Sequence, residues 1–94
     1  MNLDHLTSSA NLNFDTPYHV RRAIKIVGNG ALLAEKLGVS GVTVSDWASG
    51  KRPVPIIRCV EIEELTCKQV TRKQLRPDDW YQIWPDLRDQ AAQP

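Results

Sequence analysis

The sequence predicts an all-α fold, a small domain of about five short helices built around a helix-turn-helix. Three observations carry this. Apolar residues recur at helical spacing in several short segments, and no strand-period stretch exceeds a few residues. Between the segments stand hydroxyl, proline and glycine residues that start and stop helices. Finally, Ala34, Gly38, Val44 and Trp47 fall at the spacing of two short helices that cross closely through a tight turn.

In chain order, residues 1–15 are rich in Asn, Ser, Asp and Thr and read as a flexible arm, pinned at most by Phe14. Thr16-Pro17 is a helix start, a hydroxyl cap followed by a proline whose missing N–H is not needed there. Val20, Ala23, Ile24 and Val27 form the i, i+3, i+4, i+7 stripe of the first helix, which Gly28-Asn29-Gly30 ends. A second helix runs from about Ala31 to Leu37, with Leu33, Ala34 and Leu37 inward and Gly38 as its left-handed stop. Ser40 caps a third helix, Gly41 to about Ser49, with Val44 and Trp47 inward and Gly50 at its end. Lys51-Arg52-Pro53-Val54-Pro55 is an extended basic connector, since residues before proline are driven out of the helical region.

The fourth helix opens at Pro55, with Ile56, Cys59, Val60, Ile62 and Leu65 inward and Arg58, Glu61, Glu63 and Glu64 outward. Val70 reads as a short extended piece and Thr71 to Leu75 as a helical turn. Asp78 is placed to cap a last short helix carrying Trp80, Ile83 and Trp84, which Pro85 breaks. These boundaries give one domain over 16–84, with 85–94 as a flexible tail.

Composition excludes several classes of function. With 41% hydrophobic and 24% charged residues the chain is ordinary globular material. It has no apolar run of bilayer length and no secretion-signal layout, so a cytoplasmic protein with no membrane partner is expected. Two cysteines cannot build a disulfide framework or a four-ligand zinc site, and no metal or cofactor is implied. His5, His19, Cys59 and Cys67 fall in no nucleophile-and-base pattern, and no glycine-rich loop cradles phosphate; an enzyme is not expected. The net charge of +1 hides an asymmetry. From Pro17 to Arg76 eleven basic residues face five acidic ones, a net +6, while the flanks carry −5. A basic body suits a polyanion, and equally a solvated mixed surface.

The helix-turn-helix leaves one face of the third helix outward, and a single α-helix fits a major groove about 12 Å wide. Candidate base contacts are Gly41, Val42, Thr43, Ser45, Asp46 and Ser49. Hydroxyls can bond several base edges, Val42 can touch a thymine methyl, and Asp46 can accept from a cytosine amino group. Lys51 and Arg52 are candidate phosphate contacts. So are Ser40 and Asn29, the latter beside the N-terminal amides of the second helix. Plainer roles remain open: Ser40 as a cap alone, the small polar residues as a solvated face, and Lys51-Arg52 as a solvated turn. Arg21, Arg22 and Lys25 fit a solvated face better than a DNA flank. The aromatic cluster Trp80, Tyr81, Ile83 and Trp84 is either a lid on the monomer core or an interface between copies. Two copies would read half-sites of a palindromic operator about 34 Å apart. A helix-turn-helix used only to bind protein is the rival reading.

The run Val27-Gly28 through Trp47, Ala48-Ser49-Gly50-Lys51-Arg52-Pro53-Val54-Pro55, then Arg58-Cys59, Glu61-Ile62-Glu63 and Leu75-Arg76-Pro77-Asp78 with Trp80, resembles the YdaS/Cro-like family over about Ala23 to Trp84. The proline-bracketed connector and the Leu-Arg-Pro-Asp segment make the match specific. The resemblance implies a λ-repressor-like DNA-binding domain acting as a Cro- or repressor-type regulator of phage or prophage origin, bound to the bacterial nucleoid. Some members are described as antitoxins, so it also implies a toxin protein as a candidate partner. The chain departs from the family where members often carry glutamine, early and midway in the third helix. Gly41 and Asp46 stand there, and Gly30-Ala31 replaces the usual Gln-Ser at the start of the second. The scaffold carries over; the operator sequence does not.

Overall fold

The computed structural model describes residues 16–92. The expected arm, 1–15, and with it His5 and Phe14, lies outside the described residues. The elements are α1 (Thr16–Val27), α2 (Gly30–Leu37), α3 (Gly41–Ser49), α4 (Ile56–Leu65), α5 (Arg72–Leu75), α6 (Trp80–Ile83) and α7 (Pro85–Ala92). All are helical, and the chain folds as the expected small all-α helix-turn-helix domain. Helix α7 occupies most of the stretch read as a tail, with Pro85 opening it and Asp86 in its first turn.

One core joins the helices. Val20 and Ala23 of α1, Leu33, Ala34 and Leu37 of α2, and Val44 and Trp47 of α3 are buried together with Cys59, Ile62, Val70 and Leu75. Trp47 is the largest of the fully buried side chains. Helix α1 packs on both α2 and α3, while α4 backs α2 and α5. Ala34 is 4% exposed and belongs to the same buried cluster as Val44 and Trp47 of α3. Val54 of the connector is fully buried. The prolines on either side hold it extended and aim it inward, so the connector is a core anchor as well as a link.

Several local expectations are corrected. Ile56 is 46% exposed, not inward. At 100° per residue it lies about a quarter turn from the middle of the buried arc of Cys59, Ile62 and the C-cap Thr66, on a first turn that nothing covers. Glu63 is not an outward residue; its side chain is only 12% exposed and its carboxylate pairs with Arg72 Nε at 2.7 Å. Asp78 does not cap α6. Asp79 stands at that position and makes no cap bond, because its carboxylate is taken by Arg76. Thr16 is the first residue of α1 rather than the one before it, and its hydroxyl donates to the Leu75 carbonyl at 3.3 Å. Val70 is a buried loop residue whose N–H bonds Thr66 Oγ1 at 3.1 Å.

Candidate nucleic-acid interface

Helices α2 and α3 are held in register by their caps. Asn29 Oδ1 accepts from Leu32 N at 2.7 Å, and Ser40 Oγ accepts from Thr43 N at 3.1 Å. Each bond satisfies one of the amides that a helix start leaves unpaired. Gly38 (φ 72°) and Gly50 (φ 84°) end the two helices in the left-handed region, where a side chain would be strained. The Gly38 turn hands α2 over to α3 in three residues.

Two arginines then clamp the pair from outside it. Arg21 of α1 donates through Nη1 to the Ala48 carbonyl in the last turn of α3 at 2.7 Å. Arg58 of α4 donates to the Leu37 carbonyl, the last of α2, at 2.9 Å. A cation on an unpaired terminal carbonyl is a favourable partner for the negative end of a helix dipole. Arg22 is likewise engaged, bonding His19 Nδ1 at 3.1 Å and the Gln69 carbonyl at 3.0 Å. No pattern in the sequence announces these roles, because a long cation reaching a distant carbonyl leaves no period.

With the inner side of α3 fixed by Val44 and Trp47, its other side faces outward. Gly41, Val42, Ser45 and Ser49 are exposed, and Val42 stands 70% exposed. Thr43 is partly exposed, and the Asp46 side chain is only 17% exposed. Part of this surface is internally bonded. Ser40 Oγ and Thr43 Oγ1 are 2.9 Å apart, and Ser49 Oγ donates to the Asp46 carbonyl at 3.2 Å. The Asp46 carboxylate lies 3.5 Å from Arg52 Nε, so the acid on the outward face is opposed by the first turn of the connector. Lys51 and Arg52 are exposed, and their backbone N–H groups return to the Asp46 carbonyl. The Arg52 end of this pair is in solvent and the contact is long, so the guanidinium is free to turn to another anion.

The connector is tied to the C-terminal segment by Arg76. Its Nη1 donates to the Val54 carbonyl at 2.9 Å while Nε and Nη2 grip the Asp79 carboxylate at 3.1 and 2.7 Å. The Arg76 hydrogen bonds hold the Asp79 carboxyl below its ordinary range. Burial pushes the Cys59 thiol up to about 12, so it is an inert core group. The Leu-Arg-Pro-Asp segment is thus structural, with Leu75 filling the core and Arg76 fixing Val54.

The aromatic cluster divides. Trp84 packs on the edge of the core with Arg72 over its ring at 5.3 Å, and Lys73 lies 4.6 Å from the Trp80 ring centroid. Trp80 and Ile83 are half-buried, and Tyr81 is 39% exposed. Among the described residues no group of three or more His, Cys, Asp or Glu could hold a metal ion, and no helix is long and apolar enough to cross a membrane.

Residues 20–83 match the family described as bacterial toxin YdaS. A protein of Escherichia coli (strain K12) named "Putative transcriptional regulator YdaS" is 41% identical over 64 residues. The match covers 67% of this chain and 65% of that protein, so the chain spans about two thirds of the relative's length. No solved structure matches.

Proposed function

The chain belongs to the YdaS family, and from that premise we propose that it is a transcriptional regulator that binds duplex DNA sequence-specifically, with α3 in the major groove. The observation that carries the reading is the division of α3. Val44 and Trp47 are sealed in the core, while Gly41, Val42, Ser45 and Ser49 project from a helix capped by Ser40 at its start and held by Arg21 at its end. The relative's name supports a regulatory role. Lys51 and Arg52, at the C-terminal end of α3, meet the phosphates that flank the groove. The Ser40 and Asn29 caps bring helix N-termini to a backbone strand. A nine-residue helix reads only a few base pairs, so a Cro- or repressor-type action needs two copies on a palindromic operator. Tyr81, with Trp80, Ile83 and Trp84 behind it, is the surface offered to the second copy or to a toxin partner.

The test is binding of the full chain to duplexes selected from a random pool, measured across salt concentration. Arg52→Ala weakens all sequences about equally and lowers the log–log salt slope by about one. A protein that selects no sequence at any salt concentration is not such a regulator, and an unchanged slope removes Arg52 from the phosphate contacts. Growth inhibition is a second readout, favoured by the family's description as a toxin. If it follows from DNA occupation, it weakens in step with the DNA affinity of Arg52→Ala. Arrest that is unchanged while DNA binding falls assigns toxicity to another surface.

A further inference from the structure

The outward face of α3 lacks the usual instruments of base recognition. The helix, Gly-Val-Thr-Val-Ser-Asp-Trp-Ala-Ser, contains no Arg, Lys, Asn or Gln. The bidentate pairings of Arg or Lys with guanine and of Asn or Gln with adenine are therefore beyond its reach. Its polar groups are also partly spent within the chain. The Thr43 hydroxyl is paired with Ser40, the Ser49 hydroxyl with the Asp46 carbonyl, and the Asp46 carboxylate with Arg52. Two side chains stand clear, the Ser45 hydroxyl and Val42, and the apolar one is 70% exposed on the first turn, where a helix entering the groove presents its residues to base edges. Beside it Gly41 has no side chain, and a Cβ built there would meet nothing within 4 Å. No side chain of this neighbour stands between the start of α3 and an approaching duplex.

We infer that Val42 is a reader of the pyrimidine 5-methyl group, so that the protein's operator carries a thymine opposite α3 and its binding responds to methylation of cytosine at that position. The inference rests on the DNA-binding reading above and deepens it by naming the chemical group read. In the major groove the 5-methyl is the apolar feature that separates thymine from uracil and 5-methylcytosine from cytosine. Valine's two methyls can cover it without any hydrogen bond. Removing one such methyl from contact costs about fourfold in affinity per half-site, the weight of a single CH₂-sized group transferred from water.

The experiment uses the full chain and a duplex selected from a random pool, with deoxyuridine replacing thymidine one position at a time. The wild type loses about fourfold at one position in each half-site, and Val42→Ala binds the thymidine and deoxyuridine duplexes equally. At the same position a 5-methylcytosine·guanine pair binds the wild type about fourfold better than cytosine·guanine, and Val42→Ala does not separate them. Wild-type protein that selects a duplex yet ignores the methyl at every position overturns the inference while leaving DNA binding intact. So does a Val42→Ala protein that keeps the full deoxyuridine penalty. Failure to select any duplex is the separate failure of the DNA-binding reading. Because Val42 is mostly in solvent, its replacement leaves the fold intact, which a thermal melt of each variant verifies.

Discussion

Helices α2 and α3 are built from the same local parts and end with opposite surfaces. Each starts on a side-chain oxygen that accepts an amide, Asn29 in one and Ser40 in the other, and each ends on a glycine with positive φ. Each has an arginine from another helix on a carbonyl of its last turn, Arg58 on α2 and Arg21 on α3. They differ in how they spend their apolar residues. Helix α2 buries Leu33, Ala34 and Leu37 and keeps Leu32 half-covered, whereas α3 buries Val44 and Trp47 and leaves Val42 in water. Caps and clamps therefore set where a helix lies; the function of this pair resides in what α3 is prevented from burying.

The widest separation of the two helices comes from shortening one apolar side chain in each. Leu33→Ala removes a fully buried side chain from beneath α1 and α3 and leaves a cavity, a loss of about 2–5 kcal/mol. In a domain whose total stability is about 5–15 kcal/mol, a large fraction of the molecules unfold at elevated temperature. Val42→Ala changes stability by no more than about 0.5 kcal/mol. Denaturant titration of both variants checks this. Equal losses would mean that Val42 is packed in solution and that the two helices do not differ.

How legible the pair was in sequence follows from the range of each interaction. Gly38, Ser40 and Gly50 act within four residues of themselves, and Ala34, Val44 and Trp47 keep helical spacing, so pattern alone exposes them. Val54 was not legible as a core residue, because an isolated valine between two prolines has no period. The clamps of Arg21, Arg58 and Arg76 span 27, 21 and 22 residues, and a guanidinium reads the same whether it faces water or a distant carbonyl. Ile56 misled for the opposite reason. Its apolar character fits the α4 stripe, but a first-turn residue at the edge of the arc is buried only if a neighbour covers it. The candidate base contacts are identified by exclusion, as what remains outside once Val44 and Trp47 are placed. Their engagement with one another (Ser40 with Thr43, Asp46 with Arg52) is a matter of rotamers that composition does not encode.

A second contrast uses glycine. Gly38 has φ 72°, and a Cβ there meets no neighbour, so the cost of Gly38→Ala is conformational alone, about 1–2 kcal/mol. Gly41 is the first residue of α3, with equal open space around it. Gly41→Ala gains part of the helix-interior difference between the two residues, at most about 0.5 kcal/mol of stability. The expected melts therefore move in opposite directions, and the binding of the more stable variant carries the information. If the duplex approaches the α3 backbone closely, Gly41→Ala binds less well although it folds better. A variant that gains stability with no loss of binding would place the groove contact further along the helix.

The smallest contrast is between the caps. Asn29→Ala and Ser40→Ala each leave one helix-start amide without its partner and cost about 1 kcal/mol. On stability the two are expected to be nearly indistinguishable. On DNA they should separate, since the Ser40 cap orders the turn that carries Val42 and Thr43, while Asn29 orders α2. Loosening α2 lowers affinity for all duplexes together, through the position of the whole pair. Loosening the first turn of α3 in addition frees Thr43 Oγ1 from Ser40, and that hydroxyl can then take other base edges. Ser40→Ala should therefore flatten the preference among selected duplexes at one position, with Asn29→Ala keeping the wild-type order. Binding of both variants to a panel of single-position operator changes measures this directly. An unchanged order in both would reduce Ser40 to a cap and leave the discrimination to Val42, Ser45 and Asp46.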